Sequence, residues 1–191
     1  DHSWPPSEQI SRAFDWLHLQ KLKKTNPVES EKILTLYQSD YNRIEQFKTN
    51  GELLYASEQY ERILKSYKGL VAVDSLVKQN RKLLNSKPYK KQSTLLDNIL
   101  KMEKRLAGKF ITQITTDFKN PNKINFGWWE REFKKLNILN KKKDVEMQKM
   151  VYRLKFDLYV RFYSRKKALR YNSNEEQIAI IERFMKLIYP K

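Results

Sequence analysis

Apolar residues recur at intervals of three and four along almost the whole chain, and no stretch alternates long enough to make a strand. Residues 95–114 show it most plainly, with Leu96, Ile99, Met102, Leu106, Phe110 and Ile114 in register and Leu95 and Ile111 beside them. A period near 3.6 places such residues on one side of a helix, and that side needs a partner. There are only four Gly and six Pro, and the prolines fall at the edges of the patterned segments. The chain is therefore expected to be all-α, with about eight helices. Short connections would force those helices into antiparallel hairpins.

The punctuation gives approximate bounds. A first helix is expected over about 7–23, after Pro5 and Pro6, with Ser7 as its cap and Ile10, Phe14, Leu17 and Leu22 as its apolar stripe. Asn26, Pro27 and Glu29 read as N-cap, N1 and N3 of a second helix that ends at Asn50-Gly51. A third stops at Gly69, and Asp74 opens a short fourth. The fifth, about 89–118, would be roughly 45 Å long at 1.5 Å per residue. A sixth is expected over about 128–139. A seventh follows over 145–170, with Asp144 as an alternative cap. Ser173 and Glu176 fit a capping box for the eighth.

In LYASEQYERILKSYKG, Ala56, Tyr60 and Ile63 resemble the small, aromatic and small-apolar positions of the second helix of a tetratricopeptide repeat. The Trp-Leu-Gly signature of the first repeat helix is missing, and Ile63 is bulkier than the usual Ala. The expected architecture is a terminal loop and helix (1–24), tetratricopeptide-like hairpins (25–86) and a long-helix bundle (87–191).

The net charge is +17. Clustered cations neutralise phosphates, so a polyanion partner is one reading. Lys outnumbers Arg by more than two to one, however, whereas phosphate and base recognition favours the planar fork of Arg. The candidate polyanion residues are Lys134 and Lys135 with Lys141, Lys142 and Lys143, and then Arg161, Arg165, Lys166, Lys167 and Arg170. The default for both sets is a solvated face. Trp128-Trp129 is not a flat stacking platform, because neighbours on a helix point about 100° apart. One ring is expected in the core and the other over a seam. The ladder Tyr152, Phe156, Tyr159, Phe162 and Tyr163 is expected to pack on the fifth helix.

Cys is absent, which removes disulfides and thiolate chemistry. No Glu-x-x-His pair and no Gly-rich phosphate loop occur, so neither a metal site nor a cofactor is expected. No apolar run is long enough to span a bilayer. Of the two histidines, His18 lies within the first helix, where a surface or core-edge role is the default. His2 precedes Ser3-Trp4-Pro5-Pro6 in a loop, and a catalytic imidazole needs such a place.

DHSWPPSEQISRAFDWLHL resembles the end of the α/β-hydrolase domain in serine esterases related to dienelactone hydrolases and polyhydroxyalkanoate depolymerases. In that family a G-H-x-W-P segment follows the last strand, and the final domain helix comes next. The resemblance implies that His2 is the triad base and that Trp4, Pro5 and Pro6 shape its loop. Asp1 stands where the family has Gly. Chain order in this fold is Ser, then acid, then His, so the nucleophile and acid would precede His2. Ser57, Ser66, Ser75 and Ser93 lack the glycine-flanked elbow. A triad acts as a unit, so no esterase activity is expected from these residues alone.

The expected function is thus a non-catalytic helical interaction or scaffolding module. It would form the C-terminal part of a secreted, periplasmic or envelope-associated hydrolase-like protein. Its partner would be a protein or peptide, its own hydrolase domain included. A basic nucleic-acid-binding helical protein is the alternative.

Overall fold

The computed structural model describes residues 5–25, 29–170 and 174–190. Among these, eight α-helices follow one another: α1 (Ser7–Leu22), α2 (Ser30–Thr49), α3 (Leu53–Tyr67), α4 (Asp74–Asn85), α5 (Lys87–Lys119), α6 (Phe126–Asn140), α7 (Val145–Arg170) and α8 (Glu175–Ile188). A 3-10 turn, Pro121–Lys123, precedes α6. The described residues contain no strand, only a bridge between Lys68 and Val71. The fold is all-α.

Several helix ends have identifiable chemistry. Gly51 takes φ +73° after α2, and the Glu52 amide donates to the Phe47 carbonyl across 2.7 Å. This closes the helix by a left-handed residue that only glycine adopts at low cost. Asn125 starts α6 by accepting the Trp128 amide (3.1 Å), two residues before the expected start. Asp144 accepts the Met147 amide (2.8 Å) at the start of α7. Asn174 accepts the Gln177 amide (3.0 Å) at the start of α8. Ser173, the expected cap there, lies outside the described residues, as do Asn26 and Pro27. Ser7 and Asp74 are the first residues of their helices, and neither caps with its side chain.

The chain divides into two compact units between Thr94 and Leu95, within α5. In the first unit, α2 and α3 form a hairpin, α4 packs on α3, and α1 packs on α2. The core holds Ile33, Ile44, Ala56, Tyr60, Ile63 and Tyr67, with Leu76 from α4. Asp40 is buried among them and accepts from Tyr67 Oη (3.0 Å), Gln59 Nε2 (3.3 Å), Arg43 (3.2 Å) and Arg62. Gln92 fastens the first turns of α5 to the α2–α3 turn. It donates to the Gly51 carbonyl (2.6 Å) and accepts the Leu53 amide (3.1 Å).

In the second unit, α7 packs on α6 and α8, and the rest of α5 closes the core. Aromatic rings dominate it. Phe110, Trp129 and Phe133 stack in sequence, and Phe162 stacks on Phe184 with centroids 4.6 Å apart. Trp129 is fully buried and Trp128 is partly covered beneath Lys109, 5.1 Å from its ring. The tryptophans thus divide between core and seam as their spacing implied. Two carboxylates are buried here. Asp117 accepts from Trp129, and Glu132 is bridged by Lys109 and Lys135, each at 2.7 Å. No fully buried side-chain N or O among the described residues lacks a partner.

Candidate interaction surfaces

In α1 the expected apolar stripe is split. Leu22 faces inward with Leu19, and Asp15 on the same side reaches Arg43 of α2 (3.4 Å). Phe14 and Leu17 face solvent, 66% and 54% exposed. The spacing explains this. Residues 15, 19 and 22 share one face, whereas 10, 13, 14 and 17 share the opposite one at about 100° per residue. Pro5, Gln9, Ile10, Ala13, Phe14 and Leu17 line a shallow, mainly apolar groove on that outer side. His18 is exposed on the same helix. His2 lies outside the described residues.

A second unpartnered face lies on α7. The expected burial of its aromatic ladder holds for Phe162 alone. Tyr152 (63%), Phe156 (51%) and Tyr163 (54%) are exposed, and Tyr159 is half-buried. The core face of α7 is supplied by Met147, Met150, Val151, Leu154, Leu158 and Phe162 instead. The helix is therefore apolar on both sides, and only one side is covered by its own unit.

The ten candidate polyanion residues do not form one free patch. Lys135 is paired with Glu132 (2.7 Å), Arg161 with Asp157 (2.7 Å) and Lys166 with Glu182 (2.5 Å). Arg165 lies over the ring of Phe118, 4.0 Å from its centre. Arg161 and Arg170 are nine residues apart, so they point to opposite sides of α7, about 180° around it. Lys134, Lys141, Lys142, Lys143, Lys167 and Arg170 are exposed, and no salt bridge engages them among the described residues. The triplet Lys141, Lys142 and Lys143 occupies the α6–α7 connection, where the Lys142 carbonyl accepts from Gln148 (2.8 Å).

The buried carboxylates are internal supports. Burial alone opposes ionisation of Glu132, but hydrogen bonds from Lys109 and Lys135, with their charge, outweigh it and hold its carboxyl below the usual range. Burial raises the Tyr60 phenol to about 12, helped by nearby Glu45 and Tyr41. Burial and the Asp40 carboxylate push Tyr67 up as well. Among the described residues, no three of Asp, Glu and His gather as a metal would require. No helix among them is long and apolar enough to cross a membrane.

The chain matches no protein-family model, no curated protein and no solved structure.

Proposed function

We propose that the chain is a non-catalytic helical interaction module, the C-terminal part of a secreted or envelope-associated α/β-hydrolase-like protein. The outer face of α1 is its docking face for the hydrolase-like domain. The observation that carries this reading is the exposure of Phe14 and Leu17 around an apolar groove, on a helix whose opposite side is already anchored by Leu19 and Leu22. Contiguous exposed apolar residues of this kind mark interaction sites. The resemblance of residues 1–20 to the end of a hydrolase domain supports the choice of partner, since the final helix of such a domain covers its sheet. In the first unit, Ala56, Tyr60 and Ile63 are all buried, which supports a tetratricopeptide-like reading of its hairpins.

His2 then belongs to the partner domain's triad and is idle without the nucleophile and acid. The test is p-nitrophenyl ester turnover by residues 1–191 alone. No turnover above buffer is expected. Turnover that disappears in His2→Ala would overturn the reading.

Exposed Lys141, Lys142 and Lys143, without an ion pair among the described residues, support a second reading as a nucleic-acid surface. Oligonucleotide affinity that falls steeply between ~50 and ~200 mM salt would favour it, and no binding at the lower salt would end it.

A further inference from the structure

We propose that the outer face of α7 is a docking seam for an amphipathic helix with acidic flanks, contributed by another protein. The seam lies in the second unit and does not depend on the α1 reading.

Four observations carry it. The first is period. From Lys149 through Tyr152, Phe156 and Tyr159 to Tyr163 the spacings are 3, 4, 3 and 4, which averages the 3.5 of a helix–helix seam, and Val145 extends the stripe four residues earlier. The second is that most of the apolar side chains on this stripe are not consumed by the fold. Val145, Tyr152, Phe156 and Tyr163 are exposed on the side of α7 opposite its core residues, with Val160 exposed beside them.

The third is preorganisation. Tyr152 and Phe156 lie nearly parallel, 10° apart in plane with centroids 6.1 Å apart. Tyr159 and Tyr163 repeat this at 13° and 6.3 Å, and Tyr189 braces Tyr159 edge-on at 5.7 Å. Rings already held in place lose little freedom on binding, so more of their burial appears as affinity. Aromatic side chains are also the usual anchors of interfaces.

The fourth is charge. The cations on this side are Lys149, Arg153, Lys167 and Arg170, the last two continuing the stripe beyond Tyr163, and Glu146 and Asp157 are the carboxylates of α7 at its edge. Glu146 and Glu103 answer Lys149 (2.8 Å) and Arg153 (2.6 Å), while Lys167 and Arg170 are exposed with no salt bridge among the described residues. A partner helix with Asp or Glu beside its apolar stripe matches this pattern. A second copy does not, because it would bring together two chains of net charge +17, each with Lys167 and Arg170 unanswered among the described residues. From residue 145 to 163 the seam is roughly 27 Å long, the length of about 18 helical residues.

The probe is a 21-residue helical peptide with Leu at a and d and Glu at e and g, titrated by calorimetry at physiological salt. Micromolar binding is expected. Phe156→Ser and Tyr163→Ser together should weaken it at least tenfold, with unchanged circular dichroism because both side chains are exposed. Lys167→Glu with Arg170→Glu should weaken it about as much. Phe14→Ser with Leu17→Ser should leave it unchanged.

Equal binding of a peptide with Gln at a and d would overturn the seam as mere charge attraction. So would no binding, or binding indifferent to Phe156 and Tyr163. Sedimentation showing a dimer lost in Phe156→Ser would assign the face to a second copy instead. Tighter, Phe156-dependent binding to anionic phosphatidylglycerol vesicles or to oligo-dT would likewise overturn it.

Discussion

Trp129 donates its indole N–H to the carboxylate of Asp117 across 2.7 Å, and both side chains are buried. The bond links the last turns of α5 to α6 inside the aromatic core. Gln113 supplies a second donor to Asp117 at 2.9 Å. Trp129→Phe keeps most of the ring but removes a hydrogen bond to a charged group. It should cost about 1.5–3 kcal/mol. Trp129→Ala adds a cavity and should cost about 3–5 kcal/mol. Urea unfolding read from hydrogen exchange of α6 amides measures both, and a Trp129→Phe effect under about 0.5 kcal/mol would contradict the role of the bond.

Asp40 plays the corresponding part in the first unit. Removing it leaves Arg62 without its anion, Arg43 with Asp15 alone, and Tyr67 with no acceptor there. Asp40→Ala should cost about 3–5 kcal/mol, the range for breaking a buried charge pair. Asp40→Asn preserves shape and an acceptor and should cost less. Thermal unfolding of the two variants side by side gives the order.

Alkaline pH should weaken the first unit before the second. The folded state raises the Tyr60 phenol to about 12 and raises Tyr67 too, against an ordinary value near 10. A raised folded value means the unfolded chain loses the proton first. The contribution is therefore fully present below pH ~10 and is lost as pH rises through the folded values. Hydrogen exchange and urea titrations at pH 8 and 11 should show the loss in α3. Tyr60→Phe should lessen the difference between the two pH values.

The two faces of α1 should respond oppositely. Leu22→Ala removes a buried side chain and should cost about 2–5 kcal/mol. Phe14→Ser and Leu17→Ser alter exposed positions and should each change stability by less than about 0.5 kcal/mol. Thermal melts of the chain by itself suffice. A large loss from Phe14→Ser would mean that its face is already occupied within the chain.

The all-α fold was legible because apolar spacing and sparse glycine repeat the same message in every segment. Which side of a helix faces inward was less legible. In α1 and α7 the apolar residues surround much of the helix, so period alone does not choose between Leu22 and Phe14, or between Phe162 and Tyr163. That choice is made by the neighbouring helices. The buried carboxylates are not legible from residue type alone, because charged residues usually mark solvent. A signal was nevertheless present. Asp40 falls in the series 33, 37, 40 and 44, and Asp117 in the series 106, 110, 114 and 117, each on its helix's apolar stripe.

Hydrogen exchange around Phe14 and Leu17 tests the docking role of α1 most directly, measured in residues 1–191 alone and in the native protein carrying a hydrolase-like segment before His2. Docking predicts at least tenfold slower exchange of these amides in the native protein, with the difference abolished by Phe14→Asp. Equal exchange in the two, or a native protein without a hydrolase-like segment there, would contradict it.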